Sequence, residues 1–352
     1  MTEATPGRIF GTAGALVRAG AILLALVAVV VLLVELRELV IVFLIGLVLA
    51  EGLRPLVEAI EGRGVPRQLA RAAVYVVLIL AVAGLAVLLA RPLVVQAREI
   101  LADLPRYQAE LERNLAPFLA QLPEGTNLSS QAGSTLATAT REAFRLAAGF
   151  VRGIADVIVA LLLSFLWLSA SRPFGRFLLE LLPPSRRPQA AAVWEEIARG
   201  FAGYVRGVGV NMVVIGLLTG IAAALLGLPA PVLLGVLAGL TEVLPVVGPI
   251  IGATPAVVLA FTISPLYPLL VALVYLVIQQ IEAHTLVPLV MRRSVGLPAL
   301  VVVLALAAGA SVGGVGGAVV AVPVAFAVQV LIVRVLAPEL RSRNEKSGEH
   351  DA

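Results

Sequence analysis

The chain has 352 residues, of which 60% are hydrophobic and 14% charged, and its mean hydropathy is +1.02. This composition excludes a water-soluble globular domain. Cysteine is absent, which excludes disulfides, a thiolate nucleophile and a cysteine-ligated metal. The formal charge of +4 rests on arginine, because Lys346 is the only lysine, and we interpret it as an orientation signal rather than as affinity for nucleic acid.

Apolar runs recur along the chain at the length of about 15 to 20 residues that a helix needs to cross a bilayer. After a cytoplasmic tail over residues 1–18, transmembrane helices are predicted at 19–34, 39–50 and 72–90, within a first unit spanning 19–91. Four arginines crowd into the loop at 51–71, which places that loop in the cytoplasm.

Residues 92–148 interrupt the hydrophobic pattern with a polar insertion of balanced charge. Balanced charge permits translocation, so we predict that the insertion is extracytoplasmic. Apolar residues in its first half are spaced alternately by three and four, which predicts a single apolar stripe on a helix: Ile100, Leu104, Tyr107, Leu111, Leu115, Phe118 and Leu122. The turn residues that follow the stripe predict a helical hairpin.

The remaining apolar part, 149–335, is predicted to form the transport core, followed by a cytoplasmic polar tail at 336–352. Two of its segments, 231–263 and 298–333, are too long for one plain crossing, and each contains a break near its middle. If the arginines on either side of the second segment face the cytoplasm, each segment is a helical hairpin, and the two tips can approach each other near the midplane. The alternative is that each segment is one long tilted helix.

Glu242 lies within an apolar stretch, beside a break that contains Pro245, Gly248 and Pro249. A carboxylate inside a bilayer costs at least about 2.5 kcal/mol on insertion scales, so it normally faces a cavity, a partner or a pathway. Prolines also free backbone carbonyls that a cation, a water or a polar solute could use. The structural alternative is that Glu242 solvates a helix end at the membrane interface.

A second polar patch ends the span before the second broken segment. It consists of Gln279, Gln280, Glu282 and His284, in which 280 and 284 share one helical face while 279 and 282 share a neighbouring face. Glu242 and Glu282 are the best candidates for binding a proton, a cation or solute hydroxyls. The alternative is that this patch is a wet helix end.

Three further features belong to the core. Asn211, within a span predicted at 207–228, is a candidate pathway residue, although an interhelical hydrogen bond is its commoner role. Gly313, Gly314 and Gly317 permit either a re-entrant tip or close helix packing, and Pro323 follows them. The sequence contains no Walker loop and no zinc-protease motif, so we expect no enzymatic activity, cofactor or metal site.

Several stretches occur in one order along the chain: Leu53 to Val57, Leu181 to Arg187, Tyr204 to Gly207, Glu242 to Gly252, Gln279 to Pro288, and the glycine cluster that leads to Pro323. Together they resemble the autoinducer-2 exporter-like transporters over nearly the whole chain. The resemblance implies export of a small polar signalling molecule or, for some members, sodium–proton exchange, and it implies homo-oligomeric assembly. This chain has His284 and Pro298-Ala299 where the family tends to carry Asn and His-Pro.

The sequence therefore predicts an all-α transmembrane bundle of about eight membrane segments, two of them broken or re-entrant. We expect a multi-pass protein of the inner membrane with both termini in the cytoplasm. Its leading function is that of a secondary transporter or channel-like exporter of a small hydrophilic solute. The alternatives are a sodium–proton antiporter and a membrane scaffold that acts through the external hairpin.

Overall fold

The computed structural model describes residues 35–119, 128–286 and 296–338, together with positions 20, 24, 31 and 32. The predicted first span, most of both predicted tails, and Arg292 and Arg293 lie outside these residues. Every regular element in the described ranges is helical, which confirms the all-α fold class.

Nine α-helices follow one another in the part of the chain that the structure describes. They are α1 (Arg37–Glu61), α2 (Arg67–Ala102), α3 (Leu104–Leu119), α4 (Leu128–Glu180), α5 (Arg187–Leu225), α6 (Pro231–Thr241), α7 (Gly248–Ala260), α8 (Tyr267–Ile281) and α9 (Ala299–Leu331). Short π-helical turns extend α8 over Glu282–Leu286 and α9 over Ile332–Leu336. In the described part of the chain, six helical stretches are long and apolar enough to cross a membrane, which confirms a polytopic bundle.

Ion pairs join three helices at one end of the bundle, which we name the arginine-rich end. Arg54 of α1 lies 3.6 Å from Glu195 of α5, and Arg334, which follows α9, lies 2.9 Å from Glu196 of α5. The C-terminal ends of α1 and α9 therefore lie beside the N-terminal end of α5.

Helices α6 and α7 form the first hairpin, which begins at the opposite end of the bundle. A β-carbon added at Gly248 would lie 2.0 Å from the Thr241 carbonyl oxygen, and one at Gly252 would lie 2.8 Å from the α-carbon of Ala238, so the two arms pack side by side. Helix α6 has 11 residues, a rise of about 16 Å, or roughly half the hydrocarbon thickness. The first broken segment is therefore a hairpin whose tip lies inside the bundle.

The second broken segment also reverses its direction. Helical geometry fails at Gly313 (φ −142°, ψ 25°) and Gly314 (φ 59°, ψ −140°). A β-carbon at Gly309 would lie 2.4 Å from the Gly317 carbonyl oxygen, which is possible only if the chain folds back on itself. The stretch Ala299–Leu336, 38 residues long and apolar enough to cross a membrane, is built as two arms.

Among the described residues, the two hairpin tips have different neighbours. Val243 and Leu244 of the first tip pack on a cluster that includes Leu306, Ala318 and Val322 from the arms of the second hairpin. The second tip instead contacts α1, because a β-carbon at Gly313 would lie 1.9 Å from Cδ1 of Ile41. The first arm of the second hairpin, 299–312, rises about 21 Å, so it extends past the first tip rather than stopping opposite it.

Helix α3 closes over the base of the first hairpin. Ile100, Leu104, Tyr107 and Leu111 join one apolar cluster with α6, α7 and α8; the side chains of the other three stripe residues lie outside the described ones. The backbone N–H of Leu233 donates to Gln96 Oε1 at 2.9 Å, and Asn114 Nδ2 donates to the Phe261 carbonyl oxygen at 2.8 Å. Side chains of α2 and α3 therefore satisfy free backbone groups at both ends of the hairpin.

Candidate functional site

A cavity of about 900 Å³ lies between the first hairpin, α5, α8 and the start of the second hairpin. Its walls include Asn211 of α5, Glu242 and Pro245 of the first tip, and Gln279 and Glu282 at the end of α8. The cavity is formed by the elements whose breaks the sequence singled out. Pockets of this size commonly hold small-molecule ligands.

Four polar side chains form a connected group at one end of this cavity, which we name the carboxylate cluster. Asn211 Nδ2 donates to Glu242 Oε2 at 3.0 Å and to Glu282 Oε1 at 2.7 Å. Gln279 Nε2 donates to the second oxygen of Glu282 at 2.5 Å. One amide therefore bridges two carboxylates that are 71 and 31 residues away from it along the chain.

Both carboxylates are buried, with 4% of Glu242 and 7% of Glu282 exposed. Among the described residues, from which 287–295 are missing, none of those that line the cavity is Lys, Arg or His. Two carboxylates held by one amide repel each other when both are ionised, and a proton or a cation relieves that repulsion. The carboxylate cluster therefore favours binding of a positive charge between the two side chains.

A third buried carboxylate, Glu51, differs from these two because a cation neutralises it. Glu51, 3% exposed, accepts from Arg54 at 3.2 Å and from Trp167 Nε1 at 3.2 Å. Both of its oxygens are satisfied, and Arg54 neutralises its charge, so the structure assigns Glu51 to helix packing at the arginine-rich end. Within the ranges that the structure describes, the carboxylate cluster has no such cationic partner.

The first tip holds Glu242 through a tight turn. The N–H of Gly248 donates to the Leu244 carbonyl at 2.8 Å, and the N–H of Leu244 donates to the Thr241 carbonyl at 3.0 Å. Val246 has a φ of 71°, which is the left-handed region that β-branched residues rarely adopt. Strained backbone of this kind often occurs at binding sites, and Val246 is itself part of the cavity wall.

The structure divides the pathway residues predicted from sequence into two groups. Glu242, Pro245, Gln279, Glu282 and Asn211 line the cavity, as does Pro249. Gly248 is buried against the Thr241 carbonyl and provides the close contact between the two arms. Gln280 and His284 lie outside the lining; both are exposed, and His284 Nδ1 lies 3.0 Å from the carbonyl oxygen of Gln280.

Of the residues predicted to act in gating, only Pro249 is among the described residues that line the cavity. Gly313 and Gly314 form the second tip, Gly317 packs against Gly309, and Pro323 is buried within the second arm. Their predicted role in gating stays a prediction.

Sequence reasoning missed Tyr204, Thr254 and Tyr275, which also line the cavity. The hydroxyl of Tyr275 and the Oδ1 atom of Asn211 are buried and have no hydrogen-bond partner in the described part of the chain. Tyr275, Gln279 and Glu282 follow one another at spacings of four and three, so the helical face could have been extended backwards to the tyrosine.

Comparison with known proteins agrees with this architecture. A family model described as AI-2E family transporter matches residues 21–337. Two proteins of Bacillus subtilis (strain 168), YueF and YrrI, are each 29% identical, over 68% and 81% of this chain and 63% and 83% of their own lengths. MT0215 of Mycobacterium tuberculosis (strain CDC 1551 / Oshkosh) is 30% identical over 88% of both chains. All three are provisionally named transport proteins.

Proposed function

Because the chain belongs to the AI-2E family of transporters, we propose that it is a secondary transporter whose carboxylate cluster binds the transported species or the coupling cation. The observation that carries this proposal is the bridge from Asn211 to Glu242 and Glu282 at the end of a cavity. Charged side chains are costly inside a bilayer, and uncompensated ones normally mark a transport pathway. The coupling ion is a proton or sodium.

The substrate to test first is a small hydrophilic metabolite of the autoinducer-2 type, as the family resemblance implies. The carboxylates, Asn211 Oδ1 and the Tyr275 hydroxyl offer hydrogen bonds to its hydroxyl groups. We place the protein in the inner membrane, with the arginine-rich end and both termini in the cytoplasm, because clustered arginines favour that side. Assembly as a homo-oligomer is part of the same proposal.

A sodium–proton antiporter is the second candidate, and the pairing of the carboxylates favours it. Two buried acids that share one amide donor can exchange a proton for a metal ion without a further solute. Among the described residues, no group of three His, Cys, Asp or Glu side chains is placed to hold a metal. A transported sodium would therefore use carboxylate, amide and backbone oxygens.

Transport by purified protein in proteoliposomes tests the proposal. Release of autoinducer-2, internal pH and internal sodium are followed together for the native chain, Glu242→Gln and Glu282→Gln. We expect a cation-dependent solute flux that each variant lowers by at least about tenfold, because each removes a charge from the binding site. Glu112→Gln, which changes an exposed acid on α3, is the matched control and should transport normally.

The other outcomes separate the remaining functions. Sodium–proton exchange without solute release, lost in the same two variants, would identify an antiporter. If neither flux exceeds that of empty vesicles, the transporter proposal fails and the scaffold alternative gains weight.

A further inference from the structure

The chemistry of the cavity changes along its length. On α8, the lining residues Ala272, Tyr275 and Leu276 precede Gln279 and Glu282 on one helical face. Ala272 and Gln279 are seven residues apart, which corresponds to about 10 Å of helix. Apart from the Tyr275 hydroxyl, the wall is therefore apolar for about 10 Å before it becomes polar at the carboxylate cluster.

The facing wall on α7 shows the same direction of change. From the first tip towards the base of the hairpin, its lining residues include Ile250, Ala253, Val257 and Val258, with Thr254 as the polar exception. Helices α7 and α8 are consecutive and pack together through Leu259, Ala260 and Val271. Two apolar walls thus extend away from one charged end.

A small hydrophilic solute or a bare metal ion would use only the charged end of this cavity. Such an occupant would leave the aliphatic walls without a matching contact, and burial of apolar surface is worth about 25 cal/mol per Å². An organic anion would face two carboxylates, and no cationic side chain is among the described lining residues. An occupant with one positive end and an apolar body satisfies both parts of the wall.

Resting on the proposed transport function, we propose that the substrate class is an amphipathic organic cation. Its ammonium group binds beside Glu242 and Glu282 and donates to the Oδ1 atom of Asn211, which is buried and has no partner among the described residues. Its apolar body extends about 10 Å along the α7 and α8 walls. The Tyr275 hydroxyl, also without a partner, can bond to a polar substituent on that body.

Calorimetric titration of the purified full-length protein in detergent measures this selectivity with four probes. They are 4-phenylbutylammonium, the neutral alcohol of the same body, the carboxylate of the same body, and methylammonium. We expect 4-phenylbutylammonium to bind at least about tenfold more tightly than each of the other three, because only it satisfies both the charge and the apolar walls. The double variant Glu242→Gln/Glu282→Gln measures partition of the probes into detergent.

Two single variants separate the two ends of the site. Glu282→Gln should weaken ammonium binding by at least about tenfold and leave alcohol binding unchanged. Ala253→Leu adds volume to the apolar wall. It should therefore weaken the binding of 4-phenylbutylammonium and leave the binding of methylammonium unchanged. The thermal unfolding midpoint of each variant shows that it is folded.

Three results would overturn the inference. Equal binding of the alcohol and the ammonium compound would mean that the cavity accepts any apolar occupant, such as a lipid chain. Equal binding of methylammonium and 4-phenylbutylammonium would mean that only the charged end binds. Carboxylate-dependent flux of sodium or autoinducer-2 in proteoliposomes, without competition by 4-phenylbutylammonium, would leave the transport function intact and reject this substrate class.

Discussion

Asn211 is the residue on which the geometry of the site depends. Its side-chain nitrogen donates to both buried carboxylates, so it determines how close Glu242 and Glu282 lie. Removing it leaves two buried acids without that donor. Removing one partner of a buried charged pair destabilises a protein more than replacing both partners by apolar side chains.

A double-mutant cycle tests this role. Asn211→Ala should lower the free energy of unfolding by about 2 to 4 kcal/mol, because it strands two carboxylates. Adding Glu242→Gln should restore part of that loss, since a neutral amide replaces one of the repelling charges. Thermal unfolding of the purified variants at pH 7 gives the comparison. A double variant less stable than Asn211→Ala alone would show that the bridge does not hold the two acids together.

The sequence identified most of this site because a charge in an apolar run is conspicuous. Glu242 and Glu282 stand out in that way, and the two faces of the 279–284 patch were distinguished by spacing alone. Spacing could not decide which face meets the cavity, and the structure selects 279 and 282. An interhelical hydrogen bond was the favoured role for Asn211, because no local pattern shows which distant side chains an amide will contact.

At the scale of elements, the first hairpin is held against α5 by facing glycines. A β-carbon at Gly235 would lie 2.6 Å from the Gly216 carbonyl oxygen, and one at Gly239 would lie 2.6 Å from the Met212 carbonyl oxygen. Small residues at this spacing let helix backbones approach closely, which is the main packing device inside membranes. The contact fixes the depth of the first tip beside Asn211.

A single methyl group should therefore displace the hairpin. Gly235→Ala is expected to lower the free energy of unfolding by about 1 to 3 kcal/mol, because backbone atoms must move to accept the β-carbon. Gly209→Ala on α5 is the matched control: its β-carbon would have no atom within 4 Å, so it should be neutral or stabilising by up to about 1 kcal/mol. Equal destabilisation by both changes would reject the close-contact explanation. Thermal unfolding in detergent measures both variants.

The two reversals differ in how far the sequence predicted them. Pro245, Gly248 and Pro249 marked the first tip correctly, and glycines at 313 and 314 marked the second. Their relative position depends on arm length, which the sequence pattern does not give. The 11-residue arm of the first hairpin ends at mid-depth, whereas the second hairpin continues until Gly313 meets Ile41.

At the scale of the whole molecule, the two hairpins enter the bundle from its opposite ends. The first begins and ends beside α3, where Tyr267 donates its hydroxyl hydrogen to the Leu226 carbonyl at 2.7 Å. The second begins and ends at the arginine-rich end, where Gln329 reaches the Gly296 carbonyl and Arg334 pairs with Glu196. Broken elements that enter from opposite sides form the sites of many secondary transporters.

Because the chain has no cysteine, single introduced thiols report this topology directly. Gly296→Cys and Pro338→Cys, on either side of the second hairpin, should react with a membrane-impermeant maleimide from the same side as Ser185→Cys. Ser264→Cys, beyond the first hairpin, should react only from the other side. If the second hairpin were instead one crossing, thiols at positions 296 and 338 would react from opposite sides of the membrane. The two arms would then form one continuous helix, in which Gly309 and Gly317 are too far apart to be in contact.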